Sequence, residues 1–122
     1  MPLLPTDAKE RKEIPIGTGV LDYFPLTMTE IAKASVAGNK QHVPGTPLHW
    51  DRSKSKDDFD AMIRHAIQRN DPDENGVSHA GAMAWRACAV AEKILEERSN
   101  QAKAQGAAQR EANILRDPTD QI

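Results

Sequence analysis

Pro44, Gly45 and Pro47 stand within four residues of one another in the stretch from Asn39 to Lys54, and they forbid a helix there. Helical periodicity is strong on both sides of this break. The chain must therefore fold as separate helices joined by a long loop, and a loop that long in a small domain is more often functional than decorative.

Before the break, Thr27-Met28-Thr29-Glu30 has the form of a capping box. It predicts a first helix through Ala37, closed by Gly38 or Asn39. After the break, Ser55 is placed to cap a second helix running to about Arg69, with acids in its first turn to suit the helix dipole. On that helix Asp57, Asp60, Arg64 and Gln68 share one stripe, while Phe59, Met62, Ile63, Ala66 and Ile67 take the other side. Asn70 to Gly76 is a turn by composition. Ser78 then caps a third and longest helix, in which Ala80, Ala84, Ala87, Ala91 and Ile94 recur along one face, widened by Met83, Val90 and Leu95. Small contact residues allow close helix approach. Residues 98–122 form a polar, Ala/Gln-rich tail that is either frayed or a helix in need of a partner. Residues 1–26, punctuated by Pro2, Pro5, Pro15, Pro25, Gly17 and Gly19, read as an extended arm. The arm's apolar residues, from Ile14 to Phe24, are expected to pack on the body or on a second subunit.

A chain of 122 residues is one domain with a modest core. Few aromatics and many alanines predict an all-α, small helical bundle completed by oligomerisation. A formal charge of −2 gives no support for coating nucleic acid, and a mean hydropathy of −0.64 without a long apolar run excludes a membrane-spanning helix. Met1 to Pro5 lacks the apolar stretch of a secretory signal. Cys88 has no second cysteine to pair with. Both observations favour a reducing, cytoplasmic setting.

The residues that could carry chemistry lie between Gly38 and Arg86, where all four histidines and both tryptophans fall. Asp57 and Asp60, one helical turn apart, could supply oxygens to a hard divalent cation; the same pair also suits a plain solvated first turn. His65 and His79 read as metal ligands, proton carriers or hydrogen-bonded structural residues. Arg52, Lys54, Arg64 and Arg86 are the cations available for phosphates, though ordinary ion pairs look the same in sequence. Trp50 either stacks on a base or plugs the core, and Trp85 reads as core. There is no Gly-rich phosphate loop, nucleophile elbow or His-Glu-x-x-His.

Taken in order, Gly38-Asn39, His42, Pro44-Gly45, Pro47, His49-Trp50, Lys54-Ser55, Asp57, Asp60, Arg64-His65, Asp73, Gly76, His79 and Trp85-Arg86 resemble the all-α MazG-like nucleotide pyrophosphohydrolases. The resemblance covers roughly residues 14–97 and is nearest to the phage dATP/dGTP diphosphohydrolases (MazZ-type) that serve modified-purine DNA synthesis. It implies metal-dependent hydrolysis of a purine deoxynucleoside triphosphate, dGTP ahead of dATP, to the monophosphate, in the host cytoplasm if the chain is phage-encoded. It further implies Mg²⁺ or Mn²⁺ held by Asp57, Asp60, Glu30 and His79, with catalysis resting on Asp57, Asp60 and His65. Phosphates would be held by Arg52, Lys54, Arg64 and Arg86 and the base by Asn39, His49 and Trp50, with His42 also among the substrate-binding residues. A homodimer or homotetramer is implied, with no direct nucleic-acid binding. The chain departs from the wider family in lacking its Glu-Glu-x-x-Glu and Glu-x-x-Asp motifs in full. The alternatives are a non-enzymatic helical adaptor, using the third helix and tail as a partner surface, and a metal-dependent hydrolase of another phosphorylated substrate.

Overall fold

The computed structural model describes residues 3–115. The described residues are helical, with no strand and one isolated bridge between Glu74 and Val77. The chain divides into two units, Met1–Ala87 and Cys88–Ile122.

In the first unit the arm is not extended. Helix α1 spans Ala8–Lys12, with Asp7 at its N-cap accepting a 3.0 Å bond from the Glu10 amide. A π-helical turn follows at Gly17–Leu21. Pro5 and Pro15 precede these turns instead of interrupting them, which is where a helix tolerates them. The expectation that the arm's apolar residues pack on the body is not met within this chain: Ile14, Ile16, Val20, Leu21, Tyr23 and Phe24 are all exposed.

Helix α2 runs Pro25–His42, longer at both ends than the sequence suggested. Pro25 occupies the first turn, where its fixed φ and missing N–H are no loss, so the helix starts before the capping-box threonine. Gly38 and Asn39 do not close it, because a lone glycine costs a helix only about 1 kcal/mol. Termination falls at Val43, the residue before Pro44, whose ring disfavours helical geometry in its neighbour. A 3₁₀ turn at Arg52–Lys54 further shortens the irregular loop.

Helix α3 spans Asp58–Ile67 and starts later than expected. Ser55 does not cap it: its hydroxyl donates to both carboxylate oxygens of Asp58, at 2.6 and 2.8 Å, and Asp57 takes the N-cap position. The buried residues of α3 are Asp58 and Ala61, with Met62, His65 and Ala66 half-buried. Of the apolar side named in the sequence, Met62 and Ala66 are the part turned toward the body, while Phe59, Ile63 and Ile67 are exposed. The inward direction is set by the polar residues that α4 engages.

A tight turn follows, with Asn75 at φ 56° and Gly76 at φ 76°. It carries Val77 inward and leads into α4, His79–Leu115. The expected cap holds, since the Gly81 amide donates to the Ser78 hydroxyl at 2.9 Å. At Gly81 α4 runs close against α2, where an added Cβ would lie 2.6 Å from the Glu30 Cβ and 3.2 Å from the Glu30 carbonyl oxygen. Overpacking of this kind costs about 1–3 kcal/mol, against roughly 1 kcal/mol gained in helix propensity. Gly81→Ala should therefore be net destabilising, read as a lower midpoint in urea; a higher midpoint would show that the helices separate freely.

In the second unit, the helix continues to Leu115 without a break at Gly106. Side-chain bonds four residues apart, Gln101 to Glu97 at 3.3 Å and Gln109 to Asn113 at 3.0 Å, support it. The part of the tail after Leu115 lies outside the described residues. No helix among them is long and apolar enough to cross a membrane. Among the described residues the buried apolar ones are small and few: Ala61 and Val77 in the first unit, Ala89 in the second.

Candidate functional site

The candidate residues all lie in the first unit. Asp57, Asp60 and Arg64 are exposed on α3, and only some of the others, His65, His79 and Arg86 among them, lie between α3 and the first turns of α4. At their centre is Asp58, a carboxylate the sequence reading passed over in favour of Asp57 and Asp60. It is 5% exposed and receives a 2.7 Å bond from Arg86 besides those from Ser55. Arg86 is therefore anchored by an internal acid. The helical spacing signal for Asp58 existed, since Asp58, Ala61 and His65 share a face. An acid among two acids gave no reason to turn that face inward.

His65 and His79 meet beside this pair. Their Nδ1 atoms are 3.0 Å apart, and His79 is 4% exposed. A bond between two imidazole nitrogens requires one to donate and the other to accept. Glu74 stands behind, with its Oε2 3.8 Å from His79 Nε2. Burial, then the neighbouring His79 and Arg86, push the His65 pKa below its ordinary value. His65 is thus held neutral in the fold. A depressed pKa means the unfolded chain binds the proton more readily, so the contribution is full above the unfolded value of about 6.5 and is lost as pH falls through the folded value. The urea midpoint should drop as pH falls from about 7 to about 5, and His65→Gln should flatten that slope. An identical slope in the variant would assign the acid sensitivity to carboxylates.

The acids of the expected metal set do not come together. Asp57 pairs with Arg64 at 2.8 Å on the exposed face of α3, and this guanidinium lowers its pKa. Asp60 is exposed beside them. Glu30, one turn into α2, accepts from Lys33 at 3.0 Å and from the Ser78 hydroxyl at 3.0 Å, bonds that lower its pKa in that order. Glu30 therefore ties α2 to the start of α4. Among the described residues no group of three or more His, Cys, Asp or Glu side chains converges as a metal site. The oxygen cage that Mg²⁺ or Mn²⁺ takes is not assembled by these residues of one chain.

The loop residues form a separate cluster. Asn39 bridges the loop, donating to the Thr46 carbonyl at 3.2 Å and accepting from the His49 amide at 3.3 Å. His49 Nδ1 donates to the Pro47 carbonyl at 2.9 Å, and Lys54 donates to the His42 carbonyl at 2.7 Å. Trp50 meets Trp85 edge to face, with centroids 5.7 Å apart, and the Arg52 guanidinium lies 4.2 Å above the Trp50 ring. Trp85 donates to the Ser35 hydroxyl at 2.8 Å. Both tryptophans are half-buried. Asn39, Lys54 and Arg52 thus hold the loop's shape, and Asp51 caps its 3₁₀ turn through Ser53, which lowers the Asp51 pKa.

No protein-family model, curated protein or solved structure matches this chain.

A groove of about 460 Å³ lies along α2, lined by Thr29, Ala32, Val36, Lys40, Gly76 and Val77 among others. None of the residues expected to act on a nucleotide lines it.

Proposed function

We propose that this chain is a subunit of a hydrolase that takes purine deoxynucleoside triphosphates, dGTP ahead of dATP, to their monophosphates. The observation that supports this reading best is the His65–His79–Glu74 array. Hydrolysis of a phosphoanhydride needs a group to accept the proton of the attacking water. An imidazole kept neutral by burial, with a second imidazole and a carboxylate behind it, is suited to that task. The residues of the resemblance also meet in pairs across the chain: Asn39 with His49, Trp50 with Trp85, His65 with His79.

In this reading His65 accepts the proton, and His79 fixes which nitrogen of His65 is available. Arg64, on the exposed face, is the cation best placed for phosphates, and Trp50 with Arg52 offers a stacking surface for a base. Mg²⁺ or Mn²⁺ is the ion such a substrate brings, but the ligand set proposed for it, Asp57, Asp60, Glu30 and His79, is spread over separate places, so no step is assigned to it. Product analysis tests the proposal: the full chain is incubated with Mn²⁺ and each of the four deoxynucleoside triphosphates, followed by chromatography. Accumulation of dGMP, then dAMP, is the expected result; four intact substrates would refute it.

A second reading, a helical adaptor, has its own support. In the second unit Ile94 and Leu95 of α4 are 47% and 56% exposed, as a partner-binding helix requires. An adaptor would leave all four nucleotides untouched.

A further inference from the structure

The turn that joins α3 to α4 carries the only Asn-Gly pair in the sequence, at Asn75 and Gly76. Both residues have positive φ, 56° and 76°, and Glu74 and Val77 on either side exchange backbone bonds of 3.0 and 3.1 Å. This is the two-residue hairpin turn that asparagine followed by glycine favours. Both residues are exposed, and an added Cβ at Gly76 would meet nothing within 4 Å. A side-chain amide next to an unhindered backbone nitrogen is a reactive pair, because the two can close a succinimide ring.

At the other asparagines the following nitrogen is engaged. Lys40, Gln101 and Ile114, which follow Asn39, Asn100 and Asn113, lie inside α2 and α4, where a backbone N–H is held by the carbonyl four residues back. The Asp71 N–H, after Asn70, donates to the Gln68 carbonyl at 2.8 Å. The Asn39 side-chain amide is itself tied to the Thr46 carbonyl. Among the described residues neither the Gly76 N–H nor the Asn75 side-chain amide has a hydrogen-bond partner.

We propose that Asn75 is a site of spontaneous covalent change, and that one of its products unseats the start of α4. Solvent base removes the Gly76 N–H proton, and the nitrogen attacks the Asn75 Cγ. The Cγ–Nδ2 bond breaks, Nδ2 takes up a proton and leaves as ammonia, and a succinimide remains. Alignment of the two atoms needs rotation about the Asn75 Cα–C bond, opposed within the turn by the Glu74–Val77 pair. Water then opens the ring. Breaking the bond from Cγ to nitrogen leaves aspartate, which tolerates left-handed backbone as asparagine does. Breaking the bond from the backbone carbonyl carbon leaves isoaspartate, in which the chain runs through Cβ and Cγ and is one atom longer. Glu74 and Val77 cannot then keep both of their bonds. The same turn carries Val77 inward, sets His79, 4% exposed, against His65, and brings Glu74 Oε2 to 3.8 Å from His79 Nε2. The isoaspartate form therefore loses the His65–His79 contact, and the aspartate form keeps it.

The test uses the full chain, held at mildly alkaline pH and physiological temperature, and no readout involves a nucleotide. Mass-spectrometric peptide mapping should show the mass gain of an amide turned to an acid at Asn75, ahead of Asn70 in the same tryptic peptide. Electron-transfer fragmentation separates isoaspartate from aspartate. Asn75→Gly keeps the turn, since glycine accepts positive φ, and should show no gain at that position. Aged wild-type protein should develop a second urea transition at a lower midpoint, its amplitude following the isoaspartate fraction. Fresh Asn75→Asp should unfold at the wild-type midpoint. An unchanged Asn75, or conversion at Asn70 just as fast, would overturn the site. Isoaspartate-rich protein unfolding at the fresh midpoint, or Asn75→Asp as weak as the aged sample, would overturn the unseating of α4.

Discussion

Replacing Arg86 by leucine should destabilise the protein by about 2–3 kcal/mol, the largest loss expected from a single side chain in the first unit. Asp58 is 5% exposed, and it keeps its charge inside because Arg86 donates to it at 2.7 Å and Ser55 closes the other side. Without Arg86 the carboxylate must either stay charged and undercompensated or take up a proton on folding. The figure stands toward the lower end for a severed buried pair because the Arg86 side chain retains 24% exposure and some water reaches it. Urea unfolding followed by circular dichroism, at one fixed chain concentration, gives the number. The double change Arg86→Leu with Asp58→Leu should recover part of the loss, since a pair replaced by apolar groups leaves no orphaned charge. If Arg86→Leu matched the wild type, the pair would be an ornament of a face already wet. Arg64→Leu is the contrast: its pair with Asp57 is open to water and screened, so a much smaller change is expected.

Arg86 and Asp58 also show what a sequence can and cannot display. The three main helices were legible in outline because their cause is local: Ser78 caps α4, and periodic patterns mark α3 and α4; the end of α2 at Val43 and the helical turns within the arm were not. What pairs with what across the fold was not legible either. Asp57, Asp58 and Asp60 differ little as letters, and only the position of Arg86 on another helix decides which of them turns inward. Glu30 looked like half of a capping box, yet its carboxylate goes to Ser78, because Gly81 lets the two backbones come close enough. Ser55 looked like a cap and instead closes on Asp58. The apolar side of α3 reads as a stripe, but its residues divide in the fold: Met62 and Ala66 are half-buried, whereas Phe59, Ile63 and Ile67 are exposed. His65 and His79 were singled out separately; that they touch follows from the turn at Asn75 and Gly76, which sets α4 against α3.

His65→Gln should lower kcat for deoxynucleotide hydrolysis by about 10²–10⁴-fold, the usual weight of a positioned proton acceptor. Glutamine keeps a polar group opposite His79 Nδ1, so the helices should hold and the circular-dichroism spectrum should be unchanged. The two roles considered for His65 separate in the pH profile. As a base it works only when neutral, and burial with His79 and Arg86 beside it holds its pKa below the ordinary histidine value. The wild-type kcat should therefore stay level through neutrality and fall only on the acid side of that value. The variant's residual rate should lose this limb. A residue that only props up the fold would lower activity in proportion to the folded fraction and leave the profile's shape intact. His79→Gln supplies the second comparison. In the proposed hydrolase reading His79 would act on the attacking water only through His65, so its loss should cost less and should move the acid limb upward, because one of the neighbours disfavouring charge on His65 has gone. If both variants turned over dGTP at the wild-type rate, the histidine pair would be structural and another acceptor would have to be found.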